Sequence, residues 1–279
     1  MCANGGTRSM KNFISELKRA FGLPWIFAVV VMWLPMIVAN IEPISQAMFS
    51  EQINMHMTNV VVNAINKSAV LPVSLFALTC PYACSFISDQ SSGYIKYQIA
   101  RTGRVQYAMC RFLANAIAAA IAVFFAQIVF VLFCSICFLL ADVPYYSTYV
   151  LTDFYKENLQ VVMEDVFRSK PILYYLALFG LQTFSSMAWA SFALALSGYV
   201  RNRYITLCIP FLTYSLVAAC TSSSDIFASI YSAMWTIYSG NLLASMWPAR
   251  LSSYLLFFAV MLAISFGLFW RKVKQYDGA

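Results

Sequence analysis

The sequence predicts an all-α membrane protein: six transmembrane helices, an N-terminal interfacial helix, a short cytoplasmic helix after the second span and a broken outer hairpin before the last. Three observations predict it. Hydrophobic residues fill 61% of the 279 positions and charged residues 10%, against about 25% charged in a soluble domain, so the chain lacks the charge to cover a water-facing surface. Apolar runs recur, each near the ~20 residues that a span needs. The bases behind the net charge of +7 flank those runs, as membrane-bordering residues do, and do not form the clustered face that nucleic acid requires.

In chain order, residues 10–22 come first. Phe13, Ile14, Leu17 and Phe21 share one helical face, with Lys11, Lys18 and Arg19 elsewhere. This is an amphipathic helix expected to lie along the inner leaflet; the alternative is a frayed basic leader that fixes orientation. Pro24 marks the corner into span one, 25–41. "ISQA" offers a small-x-small cleavage pattern at Ser45 and Ala47. The apolar run before it is longer than the 7–15 residues of a signal-peptide core, so an uncleaved span is expected. Span two is 68–87, containing Pro72 and Pro81; span three is 112–141; span four is 172–196; span five is 205–220, with Pro210; span six is 251–270.

Residues 226–247 are apolar enough to tempt a seventh crossing. Topology decides against it. With six spans, both termini share a side with Arg8, Lys11, Lys18, Arg19, Lys96, Arg101, Arg104, Arg111, Arg201, Arg203, Arg271, Lys272 and Lys274, while Lys67, Lys156, Arg168, Lys170 and Arg250 fall opposite. The positive-inside rule makes the first side cytoplasmic. A seventh crossing would put "RKVK" outside, so 226–247 is expected to dip into the outer leaflet as two half-helices and return near Gly240. The outer stretch before span four repeats Tyr155, Leu159, Val162 and Val166 at helical spacing, with Glu157, Gln160 and Glu164 facing away. It is expected to rest on the outer surface as a short helix.

The stretch "DQSSGYIKYQIARTGRVQYAMCR", 89–111, places four bases between spans two and three, with Gly93 and Gly103 as punctuation. Residues 93–103 suit about two and a half helical turns. Tyr94, Tyr97, Gln98 and Arg101 fall on one side, Ile95 and Ile99 on another. The bases can contact lipid headgroups or an acidic partner, or merely enforce topology. Orientation alone requires bases, not a Gly-bounded aromatic helix, and that surplus points to docking of something soluble.

This organisation resembles the membrane subunits of ABC-2 type exporters over nearly the whole chain. The most specific local match runs through Asp89, Gly93, "YIKYQIARTGR", Arg111 and Asn115, with "DQSSG" where the family has Glu-Asn-Gly. The resemblance implies that 93–103 is a coupling helix docking in a groove of an ABC ATPase subunit, with Asp89, Gly93, Tyr94, Lys96, Tyr97, Arg101, Gly103 and Arg104 at the contact. It implies two membrane subunits, as a homodimer or a heterodimer, and two ATPase subunits. Substrate passes between the membrane subunits along spans two and five, where Phe76, Tyr82, Phe211 and Tyr214 are candidate lining residues; the alternative for each is lipid contact or packing. This chain has no G-x-x-x-x-G-K-[ST] phosphate loop, so no cofactor is expected on it, and ATP and Mg belong to the partner. Family members of this size lead to an amphiphilic substrate, an antimicrobial peptide (bacteriocin) or a drug, moved out of the cell.

No Asp, Glu, Lys or Arg occupies the middle of an assigned span, which argues against a proton- or sodium-driven carrier. Gln127 and Gln182 are the main intramembrane polar groups and can hydrogen-bond between helices. Ala188, Ala190, Ser191, Ala193 and Ala195 suit close helix packing. No catalytic residue and no metal site is expected. The single histidine, His56, falls in an outer stretch, and neither an HExxH nor a G-x-S-x-G motif occurs. The pairs Cys80/Cys84 and Cys134/Cys137 lie in apolar runs without the second pair a zinc site needs. The competing readings are a non-transporting membrane sensor or scaffold and a polytopic membrane enzyme. An ATPase whose turnover responds to substrate separates the transporter from both.

Overall fold

The structure is a computed structural model. It describes residues 4–49, 57, 60, 61, 64, 70–141, 171–200, 202–221 and 247–275, and these form a helical assembly with no strand among the described residues. The expected outer helix at 155–166 lies outside the described residues, as do His56 and residues 226–246 of the expected half-helices, while Trp247 is described as the start of a helix.

Helix α1 is Asn4–Ala20 and α2 is Leu23–Val38. Gly22 precedes α2, and Pro24 sits in its first turn, where the missing N–H costs nothing. The two axes bend by 52° at this corner. Expected span one ends three residues early. Asn40, fully buried, turns its Nδ2 back to the Met36 carbonyl at 2.9 Å, and α3 (Ile41–Phe49) restarts there.

Expected span two is broken. Helix α4 covers Val70–Thr79, a turn follows, and α5 is Ser85–Ser91. Pro81 explains the break. It has no N–H for the Ala77 carbonyl, and it disfavours helical geometry at Cys80. Helix α6 is Tyr94–Thr102. Helix α7, Arg104–Leu140, starts eight residues before expected span three. Helices α8 (Pro171–Ser197), α9 (Arg203–Thr221) and α10 (Trp247–Lys274) contain expected spans four to six, each slightly extended.

Helix α7 is the hub, packed against α1, α2, α3, α4, α6, α8 and α10. Small side chains permit this: Ala114, Ala118, Ala119, Ala122 and Ala126 are all buried, so neighbouring backbones approach closely. Gln127 Nε2 donates to Gln182 Oε1, tying α7 to α8. Large apolar residues meanwhile face outward. On α10, Leu256, Val260 and Ile264 are exposed at four-residue spacing, and on α7 Phe125, Leu132, Ile136 and Leu139 are exposed at intervals of seven, four and three. Such a belt is costly in water and natural in hydrocarbon. Helix α7 and the Tyr254–Lys274 part of α10 are long and apolar enough to cross a membrane, and the bent pair Met10–Ala20 and Leu23–Val38 makes three if it is one span.

A second, smaller apolar cluster forms at one end of the bundle: Phe86, Ile95, Tyr107, Ala108, Phe112, Leu194, Ala195, Phe269 and Val273. Phe86 meets Phe269 edge to face at 5.2 Å, and Phe112 meets Phe266 at 5.3 Å. Five helices, α5 to α8 and α10, are thereby joined beneath α6.

Candidate functional site

Helix α6 is held at both ends by backbone that only glycine adopts readily. Gly93 has φ 71° and Gly103 has φ 79°, values that cost a residue with a Cβ roughly 1–2 kcal/mol. Between them, nine residues fold back onto the bundle. Ile95 is 1% exposed and enters the smaller cluster, which contributes about 2 kcal/mol. Ile99 packs beside it. The opposite side shows Tyr94, Lys96, Tyr97, Arg101 and, just beyond the helix, Arg104 to the exterior. Tyr97 is 77% exposed, uncommon for an aromatic side chain in a packed protein.

Asp89 is placed differently. It is buried beneath α6, clamped between two arginines. Arg19 of α1 forms a two-pronged fork, Nη1 to Oδ2 at 2.7 Å and Nη2 to Oδ1 at 2.6 Å. Arg111 of α7, fully buried, donates Nη2 to Asp89 Oδ2 and to Ser85 Oγ at 3.2 Å, and Nη1 to Tyr107 Oη. Three rings surround that guanidinium, Tyr107 at 5.3 Å, Tyr82 at 5.6 Å and Phe86 at 5.7 Å, so their π faces supply part of the hydration it has lost. Burial pushes the Asp89 carboxyl up, but the Arg19 fork and the Arg111 charge outweigh it and hold it below the ordinary aspartate value.

The clamp continues to α6. Glu16 of α1 accepts from Tyr82 Oη through Oε2 and from Gln98 Nε2 through Oε1, the latter at 3.2 Å. A polar cleft of about 360 Å³ opens between α1 and α6, with Lys11 and Ser15 on one wall and Tyr94, Tyr97 and Arg101 on the other. The docking surface expected on α6 alone therefore has α1 as its second wall.

Of the expected path residues, Phe76 lies on α4 and Phe211 and Tyr214 on α9, two helices that pack together, and Tyr82 lies in the turn between α4 and α5. Tyr82 is 1% exposed and belongs to the clamp, while Tyr214 is 8% exposed inside the main core. Phe211 packs against that core from one side, and Phe76 is half-buried on α4. Sequence reasoning missed Arg19, Glu16 and Tyr107 as members of a site. A signal was present: of 11 acids, Glu16 and Asp89 are those that fall among the thirteen bases on the side read as cytoplasmic before Asp277, and both are in the clamp.

Among the described residues no group of His, Cys, Asp and Glu is arranged to hold a metal ion. Comparison with protein-family models, curated proteins and solved structures returns no match.

Proposed function

We propose that this chain is the membrane permease subunit of an ATP-driven ABC-2 type exporter, a six-span protein of the cell membrane with both termini cytoplasmic. Helix α6 docks in a soluble ABC ATPase, which carries ATP and Mg. Two permease chains pair, and an amphiphile, an antimicrobial peptide or a drug, leaves between them.

The observation that carries this reading is α6 itself: a glycine-bounded helix with an apolar underside sunk in a five-helix cluster and an aromatic, basic outer face. Force applied to such an element reaches the bundle, because Gln98 bonds to Glu16 of α1 and Ile95 belongs to one apolar cluster with residues of α7, α8 and α10. A docking helix requires this combination of an open face and a rigid seat. The exposed Tyr94 and Tyr97 offer rigid contact area, and the bases steer an acidic surface.

The test is affinity purification of the tagged chain from its native host in mild detergent, with co-purifying chains identified by mass spectrometry. A phosphate-loop ATPase is expected, released by Arg101→Glu or Arg104→Glu while membrane insertion is unchanged. Absence of such an ATPase, or its retention by both variants, refutes the docking role. ATP turnover stimulated by an amphiphile then distinguishes a transporter from a scaffold.

A further inference from the structure

At the end of the bundle that carries α6, α2 and α9 diverge and leave an open groove of about 1110 Å³. Leu23, Ile26 and Phe27 of α2 form one wall, and Tyr204 and Leu207 of α9 form the other. The Pro81 turn makes the floor, presenting Cys80 and Cys84. Two contacts fix the floor to α9: Thr79 Oγ1 to the Leu207 carbonyl at 3.2 Å, and Cys84 Sγ to the Arg203 carbonyl at 3.7 Å. The walls are apolar and open, with Leu23 80%, Ile26 55% and Phe27 56% exposed. At the mouth stand Asn202 and Arg203. No carboxylate among the described residues forms a salt bridge with Arg203, and none of the described lining residues is acidic.

We propose that this groove holds an anionic phospholipid of the inner leaflet, its acyl chains along the α2 and α9 walls and its phosphate on Arg203. Charge complementarity selects this occupant. A guanidinium beside hydrocarbon calls for an anion, and it matches phosphate oxygens with two parallel donors. The N-terminal end of α9 adds a partial positive charge at the same place. A second copy of the chain is a poorer fit, because a two-fold interface would bring like surfaces together, setting Arg203 against its own copy with no acid among the described lining residues. The inference rests on the sidedness of the proposed function, which puts this end of the bundle at the inner leaflet; it does not need the ATPase or the transported substrate.

The test uses the full chain purified in mild detergent and offered phosphatidylglycerol or phosphatidylcholine, with bound lipid counted by native mass spectrometry. Phosphatidylglycerol is expected to be retained preferentially. Arg203→Glu should weaken its retention about tenfold, since one charge-assisted contact is lost and a repulsion gained. Arg203→Gln should abolish the preference between the two lipids, and Lys274→Glu, at the same end but outside the groove, should change retention less than about twofold. In a variant keeping Cys84 as its one cysteine, a bulky maleimide on that thiol should exclude the lipid. Equal retention of both lipids, indifferent to Arg203, means an ordinary annular shell and overturns the proposal. Efficient Cys84-to-Cys84 cross-linking between two chains means the groove is closed by a second copy, and overturns it equally.

Discussion

Removing Asp89 strands a buried cation, and the cost can be worked from the clamp. Arg111 is fully buried, and its Nε already lacks a partner among the described residues. Among the described residues Asp89 is the carboxylate ion-paired with it, so Asp89→Ala deletes that partner, and breaking one side of a buried pair costs about 3–5 kcal/mol. At about 2 °C per kcal/mol for a chain of this size, the unfolding midpoint should fall by about 6–10 °C. Arg19→Ala attacks the same carboxylate from the other side, but the Arg19 side chain is 38% exposed. Screened by solvent, that pair is worth under about 1 kcal/mol, or about 2 °C. The assay is thermal unfolding of purified protein in one detergent, followed by intrinsic fluorescence. A double variant, Asp89→Leu with Arg111→Met, removes both charges and should recover most of the loss, because an apolar pair of similar volume carries no desolvation penalty. Equal midpoints for Asp89→Ala and Arg19→Ala, or a double variant no better than Asp89→Ala, would refute the buried-charge reasoning.

Other outcomes are expected. Because the folded Asp89 carboxyl titrates below its unfolded value, its stabilising contribution is complete above the ordinary aspartate pKa of about 3.9 and is lost as pH falls through the lower folded value. The midpoint should therefore show no Asp89-dependent change between pH 7 and 5, and Asp89→Asn should flatten the loss seen below pH 4. Gly103→Ala should destabilise the α6 corner by about 1–3 kcal/mol and be read as faster trypsin cleavage at Arg101 and Arg104 in inside-out vesicles. Gln127→Leu leaves Gln182 without its α7 partner and should cost about 1–3 kcal/mol; adding Gln182→Leu should restore part of that, measured by the same unfolding assay. At Gly198 a Cβ would stand 2.9 Å from Lys272 Cγ, so Gly198→Ala should lower the midpoint, whereas Lys272→Ala in the same background should relieve it.

The boundaries of α6 were legible because two glycines mark them and each has a positive φ in the structure. The inward side was legible too, since Ile95 and Ile99 fall together at helical spacing. The break in expected span two was not read from Pro81, because hydropathy continues straight through "TCPYACSF" while backbone bonding does not. Asp89 was placed among the docking residues by the resemblance to the ABC-2 exporters. One of its two partners, Arg19, stands 70 residues earlier, and no local pattern encodes a partner so distant. The Gln127 to Gln182 bond was anticipated as an interhelical contact from polarity within apolar runs. Tyr82 was assigned to a path by its place on span two; its bond to Glu16 of α1, 66 residues earlier, was not legible there.

The clamp also carries a consequence for biosynthesis. Its parts leave the ribosome in the order Arg19, Asp89, Arg111, and the last two are 22 residues apart. A nascent hairpin of α5 to the start of α7 thus holds both the buried arginine and its carboxylate before the segments after α7 are made. The first segment, made long before, is left with a ready-made latch onto which it can swing.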